Sequence, residues 1–311
     1  MCRNKDRGAT WQMPCFAPDF DWYGTECPGI AQLPDGAVAL TQFRFGWYPL
    51  ALARKRRAAG EPISLCLPEK GWTEDFDDQA WPQSRCSWAR GYHGVYVHLS
   101  LDGGNLFEHT VKLDTGDFRD GYTRTPVKAL SDGRLAYPLT EHHSPSNRFT
   151  YLVTSADYGR SWSKPTVVVD DEERLFGEPD IAETAPGELF CILRCGRRVV
   201  LHGCRSTDGG QTWSQPEATP LDGHPGHLLS LADGRLLCTF GRRKAPFGIR
   251  LALSTDGGRT WGPELIVRDD LPNGDLGYPT TLEYAPGALF VCYYGQHADG
   301  VTCVMGTYVE L

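Results

Sequence analysis

No stretch of the chain approaches the roughly 18 consecutive apolar residues that a membrane-spanning helix needs. The opening Met1-Cys2-Arg3-Asn4-Lys5-Asp6 leads into no apolar signal-peptide core. As written, the sequence is therefore expected to be cytoplasmic, or secreted or periplasmic if its N-terminus is incomplete. A basic excess is also missing. The formal net charge of −8 and a pI near 5.6 argue against nucleic acid or an anionic membrane as a partner, because either favours a broad basic face. The one dense basic run, Arg54-Lys55-Arg56-Arg57, reads as a solvated loop or strand edge. The 11 cysteines include no CxxC pair. Cys191, Cys238, Cys292 and Cys303 fall inside apolar strand-like runs, so buried free thiols are expected rather than a disulfide framework. There is no Gly-rich phosphate loop between a strand and a helix, and nothing points to a Ser/His/Asp triad. His142-His143 and the pair His224, His227 have only isolated acids for company and read as surface or rim histidines. No metal and no cofactor is predicted.

What the chain has in quantity is turn residues. Its 35 Gly and 22 Pro in 311 residues suit many short strands joined by tight turns and exclude a mainly helical protein. An octapeptide recurs among them. Ser206 to Trp213 (STDGGQTW) and Ser254 to Trp261 (STDGGRTW) are two copies, and Ser155 to Trp162 (SADYGRSW) and Asn4 to Trp11 (NKDRGATW) are two more. Ser100 to Phe107 (SLDGGNLF) is a degenerate fifth. In the pattern S-x-D-x-G-x-T-W, Asp bonds nearby amides, Gly takes a positive φ, Thr adds a hydroxyl bond and Trp buries against the strands. Such an Asp box staples a hairpin and carries no chemistry of its own.

A second repeat interleaves with the first: Pro28 to Gly36, Pro126 to Gly133, Pro179 to Gly187, Gly226 to Gly234 and Pro279 to Gly287, each followed by an apolar run. The unit is strand A, tight turn, strand B, loop, strand C, Asp-box turn, strand D, which is one four-stranded propeller blade. The turn glycines at 36, 133, 187, 234 and 287 are separated by 97, 54, 47 and 53 residues. The long first step carries an insertion at about 47–90, overhanging the face opposite the Asp boxes. A single domain over 1–311 is predicted. The unpaired box at Asn4 to Trp11 either supplies the outer strand of the last blade or is the remnant of a first blade otherwise missing.

On the face away from the Asp boxes, strand A starts at Glu26 or Cys27, Thr125, Glu178, His224 and Tyr278. Strand B ends seven or eight residues past each turn glycine, at Arg44, Glu141, Arg194, Arg242 and Tyr294, and a start of C adds Arg250. Guanidiniums converging on one funnel suit an anionic ligand, because Arg forks bind carboxylates bidentately. The plain alternative is that they plug the channel by pairing with Glu178 and Glu141.

Glu178 lies 16 residues before Arg194, and Arg250 lies 28 before Tyr278, all in blades with Asp boxes. This half of the chain resembles the catalytic half of the sialidases. The resemblance implies an all-β, six-bladed β-propeller of the sialidase type, here with an incomplete first blade. It implies that Tyr278 is the nucleophile, Glu178 its base, and Arg194 with Arg250, or Arg242 in its place, the holders of a sugar carboxylate. A neutral phenol avoids the repulsion that a carboxylate nucleophile would meet in an anionic sugar, and a phenol of pKa near 10 needs a neighbouring base. The chain departs from the family where the first blade should begin Arg-Ile-Pro. Here Glu26-Cys27-Pro28 stands in that place, and Asp19, Asp21 and Glu141 are the candidates for the acid.

Three readings follow. The first is a retaining exo-glycosidase acting on a terminal acidic sugar, sialic acid first. The second is a propeller that binds acidic glycans or a protein partner without turnover, or a truncated and inactive relative. The third is a related glycosidase or lyase for another sugar acid. Within the insertion, Trp72, Trp81 and Trp88 are candidates for stacking on sugar rings or, more ordinarily, for packing.

Overall fold

The computed structural model describes residues 4–6, 9–12, 23–118, 121–141, 148–196 and 199–311, without the side chains of residues 23–27 and 93. Asp19, Asp21, His142, His143 and the side chains of Glu26 and Cys27 lie outside that description. The strands form five antiparallel sheets in chain order. The first holds β1 (Tyr23–Gln32), β2 (Val38–Pro49), β3 (Ile63–Leu67), β4 (Gly71–Thr73), β5 (Trp88–Ser100) and β6 (His109–Lys112). The second holds β7 (Lys128–Ala129), β8 (Leu135–Thr140), β9 (Phe149–Ser155) and β10 (Thr166–Asp170). The third is β11 (Phe176–Ala185), β12 (Glu188–Cys195), β13 (Val200–Ser206) and β14 (Glu217–Asp222). The fourth is β15 (Gly226–Ser230), β16 (Leu236–Arg242), β17 (Gly248–Ser254) and β18 (Leu265–Arg268). The fifth has three strands, β19 (Gly277–Ala285), β20 (Ala288–Gln296) and β21 (Thr302–Glu310). The predicted all-β class is what the chain adopts, and sheets two to four run in the predicted A-B-C-D order.

The Asp boxes fold as the sequence dictates. In the third sheet Asp208 accepts from the amides of Gln211 and Thr212, both at 2.9 Å, and from the Thr212 hydroxyl at 2.6 Å. Ser206 accepts from the amide of Gly210, and Trp213 closes the turn on Gly210 O at 3.1 Å. Asp157 and Asp256 repeat the pattern, and in the first box Asp6 holds Thr10. The degenerate box keeps the amide bonds to Asp102 but has Leu106 where the hydroxyl would stand. The carboxylates of Asp6, Asp157, Asp208 and Asp256 are held below the usual range, Asp208 at about 2, chiefly by the Thr212 hydroxyl and amide.

Alternate strand residues pack each sheet on the next. Phe43 and Val95 of the first sheet meet Leu135 and Tyr151 of the second. Leu152 meets Ile181 and Leu189 of the third, Ile192 meets Leu228 and Phe240 of the fourth, and Ile249 meets Val291 of the fifth. Each such side chain contributes about 1.5–3 kcal/mol on burial. One polar tie crosses three sheets. The Lys128 ammonium of β7 pairs with the fully buried Asp180 of β11 at 3.0 Å and donates to Leu228 O of β15 at 3.1 Å. Asp180 also accepts from the Leu228 amide at 2.7 Å.

The insertion corrects one expectation. Arg54 to Arg57 is neither loop nor strand edge but part of α1 (Leu50–Ala58), with Lys55, Arg56 and Arg57 in its last turn. Leu, Ala, Lys and Arg favour helix, and cations suit its C-terminal end. The guanidiniums do not stand free in solvent. Arg56 lies over the Tyr48 ring at 4.3 Å and Arg57 over Phe76 at 3.8 Å. Trp81 is 2% exposed and packs edge-on to Phe76, while Trp72 and Trp47 flank Arg90. Trp88 is the exposed one of the three tryptophans weighed for sugar stacking. Among the described residues no helix is long and apolar enough to cross a membrane. All eight described cysteines are free, with Cys191 and Cys238 buried and Cys292 and Cys303 half-buried.

Candidate active site

Two tripeptides a hundred residues apart build the centre of the site. Gly177-Glu178-Pro179 opens β11 and Gly277-Tyr278-Pro279 opens β19. In each sheet the ladder skips the residues after the glycine: Gly177 pairs with Arg194 and Asp180 with Ile192, and Gly277 pairs with Tyr294 and Thr280 with Cys292. Glu178 and Tyr278 bulge out of their strands at φ 48°, in the left-handed region. For a residue with a Cβ that conformation costs on the order of 1 kcal/mol, and it aims both side chains at the same point. The Tyr278 hydroxyl donates to Glu178 Oε1 at 2.8 Å.

Arg194 joins them from the end of β12. Its Nη1 donates to both Glu178 oxygens, at 3.0 and 2.9 Å, and lies 3.1 Å from the Tyr278 hydroxyl. A second guanidinium comes from the segment that leads into β7: Arg124 donates from Nε to Glu178 Oε1 at 2.8 Å and lays its Cζ 4.1 Å from the centre of the Tyr278 ring. A third, Arg243, sits just past β16, 5.4 Å from the same ring, and donates to the Tyr294 hydroxyl at 3.3 Å. Tyr294 stacks on Tyr278 with centroids 5.8 Å apart and donates to Asp275 at 2.7 Å. Glycines let the fourth and fifth sheets approach here. A Cβ on Gly241 would stand 3.0 Å from the Gly277 Cα.

The electrostatics follow from burial against these cations. Burial pushes the Glu178 carboxyl up, but the guanidiniums of Arg124 and Arg194, with the bonds from Arg194 and Tyr278, outweigh it and hold the group below its usual range. Burial, and then the Glu178 charge, push the Tyr278 phenol up. At rest the pair is a carboxylate accepting from a neutral phenol. Burial and the Asp275 bond raise Tyr294 to about 12. His224, in the related tripeptide Gly223-His224-Pro225, is pulled down to about 4 by burial and by Arg194 and Arg243, and is neutral near pH 7.

Of the predicted residues, the structure brings together Glu178, Arg194 and Tyr278. Arg250 and Arg242 are not with them. Arg250 is buried among carbonyls of its own sheet, donating to Ile249 O, Arg268 O and Pro246 O, and Arg242 faces Glu264 at 3.6 Å. Arg44 is buried with Gln42, at 2.7 Å, and over the Tyr96 ring. Glu141 stands half-buried past the end of β8, its amide on Phe149 O.

The reason is strand parity. Arg194 and Tyr294 lie seven residues past their turn glycines and Arg243 nine, whereas Arg44, Glu141 and Arg242 lie eight past theirs. Treating seven and eight alike mixed the two faces. Arg124 escapes the count for a similar reason: strand A is expected to start at Thr125, yet the Thr125 hydroxyl reaches Pro179 O while Arg124 faces the site. Parity is the sequence signal that separates Arg243 from Arg242, while the recurrent G-x-P tripeptides mark Glu178 and Tyr278.

The sequence matches the family model described as BNR repeat-like domain over residues 80–291. It is 28% identical over 218 aligned residues to a sialidase of Micromonospora viridifaciens, an alignment covering 58% of this chain and 33% of the relative. The alignment thus spans about a third of that protein's length. A protein of unknown function from Dyadobacter fermentans superposes with a TM-score of 0.81 at 25% identity, over 99% of this chain and 82% of the other. The NanB sialidase of Streptococcus pneumoniae superposes with a TM-score of 0.70 at 13% identity, over 100% of this chain and 63% of the other.

Proposed function

The chain belongs to the BNR repeat-like family within the sialidase superfamily, and on that premise we propose that it is a retaining exo-glycosidase for a terminal acidic sugar, sialic acid first. The observation that carries this reading is the contact of the Tyr278 hydroxyl with Glu178, both within reach of Arg194. In the reaction the Tyr278 oxygen bonds to the anomeric carbon as the glycosidic C–O bond breaks, the phenol proton passes to Glu178, and the leaving oxygen takes a proton from an acid. Water then releases the sugar from Tyr278 with retention. Arg194 and Arg243 hold the sugar carboxylate. Arg243 donates to the Tyr294 hydroxyl at 3.3 Å and lies 5.4 Å from the Tyr278 ring, which sets its guanidinium beside the pair to meet an anion. Three guanidiniums against the carboxylates of Glu178 and Asp275 leave the site with a positive excess that favours an acid sugar. The acid is not among the residues gathered at the site; Asp19, Asp21 and Glu141 are its candidates from the sequence. The same reading makes the fold a six-bladed propeller and 1–311 one domain.

Turnover of a fluorogenic sialoside by the purified chain, abolished by Tyr278→Phe, is the expected result. Absence of turnover from pH 4 to pH 8 overturns the glycosidase reading. A second reading, binding of a sugar acid without hydrolysis, draws support from the two guanidiniums on Glu178, which lower its basicity. Calorimetric binding of the unsaturated sialic acid analogue by a chain that turns over no sialoside supports it.

A further inference from the structure

We propose that Arg124 is a positioning residue for the Tyr278–Glu178 pair, holding the phenol ring against its guanidinium face and the carboxylate on its Nε, and that it is not part of the clamp on the substrate carboxylate. The proposal rests on the reading of Tyr278 as the attacking group. Arg124 comes from the segment leading into β7, outside the sheets of both partners, immediately before Thr125, whose hydroxyl reaches Pro179 O at 3.3 Å. Thr123 reaches the same carbonyl at 3.3 Å. The segment carrying Arg124 is thus fastened on both sides to the residue that follows Glu178.

The geometry of Arg124 differs from that of the other two arginines. Arg194 approaches Glu178 and the Tyr278 hydroxyl through a single Nη1 atom, and Arg243 reaches the Tyr294 hydroxyl. Only Arg124 makes both a 2.8 Å bond to the carboxylate and a close stack on the phenol, with its side chain 20% exposed against 4% for Glu178. One planar group therefore fixes two torsional freedoms: the rotation of the Glu178 carboxylate that puts Oε1 under the phenol, and the tilt of the Tyr278 ring. A guanidinium over the ring face also stabilises negative charge developing on the phenol oxygen. Lysine can supply the charge but not the plane.

The test uses Arg124→Gln and Arg124→Lys in the full chain, with 3-fluorotyrosine placed at 278 for fluorine NMR. On a fluorogenic sialoside, Arg124→Gln is expected to lower kcat on the order of 100-fold with KM changed less than about threefold, and Arg124→Lys to recover about tenfold of that loss. A KM that rises with kcat unchanged makes Arg124 a substrate clamp and overturns the proposal, as does activity equal to wild type. The fluorine resonance of wild type at neutral pH is expected to move in Arg124→Gln and to move less in Arg124→Lys. An unmoved resonance in both variants overturns the proposal whether or not the protein turns over a sialoside. A moved resonance in a protein without turnover sustains the placement of Arg124 while the glycosidase reading fails. If Arg124→Gln does not fold, Arg124→Lys carries both readouts, and wild-type values in it overturn the proposal.

Discussion

Tyr278 donates a 2.8 Å hydrogen bond to Glu178 across 100 residues of chain, and both residues adopt the same φ of 48° at the same bulge of their respective strands. The pair is therefore set by backbone as much as by side chain, since each sheet repeats one tripeptide conformation and the packing of the sheets brings the two copies together. Changes that spare the bulges should leave the fold intact while removing the chemistry.

Tyr278→Phe removes one hydroxyl and keeps the ring under Arg124. It is expected to melt within a few degrees of wild type and to lose at least about a thousandfold in kcat on a fluorogenic sialoside, roughly 4 kcal/mol of barrier. Glu178→Gln is expected to lose similar activity and also to lower the melting temperature, because Arg124 and Arg194 lose their shared counter-charge. Circular dichroism melts beside the rate measurements separate the two.

The arginines should divide by face. Arg243→Gln and Arg194→Gln are expected to raise KM on the order of 10-fold or more, as befits loss of a bidentate hold on a carboxylate. Arg242→Gln, one residue from Arg243, should leave KM within about twofold. Arg250→Gln should act on stability instead, since its bonds go to carbonyls of its own sheet. A KM effect of Arg242→Gln equal to that of Arg243→Gln contradicts the assignment.

Gly277 lies at φ 117°, directly before Tyr278. Gly277→Ala forces a side chain into a conformation that L residues rarely adopt and is expected to cost about 1–3 kcal/mol in urea unfolding. Activity should fall further than stability, because the strain is relieved by turning Tyr278 away from Glu178.

The Asp boxes set the acid limit. The Asp208 pKa is depressed in the folded protein, from 3.8 to about 2, so its contribution is fully present above about pH 4 and is lost as the pH falls through 2. Melting temperatures are expected to drop across that window, and Asp208→Asn should flatten the drop while lowering the plateau above it. An identical pH profile in the variant would count against the box as a source of acid lability.

The fold was legible because its signals are local and repeated. The Asp boxes, the turn glycines and the apolar runs between them mark strand order without reference to anything distant. Glu178, Arg194 and Tyr278 were legible for the same reason, each standing at a countable place in a repeat. Arg243 and Arg124 were not, because a side chain's face depends on register: Arg243 stands one residue beyond Arg242 at the end of β16, and Arg124 one residue before Thr125, so a count off by one picks the neighbour. The helix α1 was hidden by its charge. Four consecutive cations suggest solvent, and the rings of Tyr48 and Phe76 that receive two of them come from segments before and after the helix.

The Lys128 tie also sets an order of events during synthesis. The ammonium reaches Leu228 O across 100 residues, so at ordinary elongation rates the second sheet waits roughly 5–20 s for its fourth-sheet partner to be made. During that interval Asp180 has Lys128 but not the Leu228 amide, and the face of the third sheet that packs on the fourth, with Ile192, is uncovered. A nascent chain paused before residue 226 would expose that apolar face, and one released after the fourth sheet would have it covered. Translation speed between the third and fourth sheets is therefore expected to govern how much of this protein reaches the folded state.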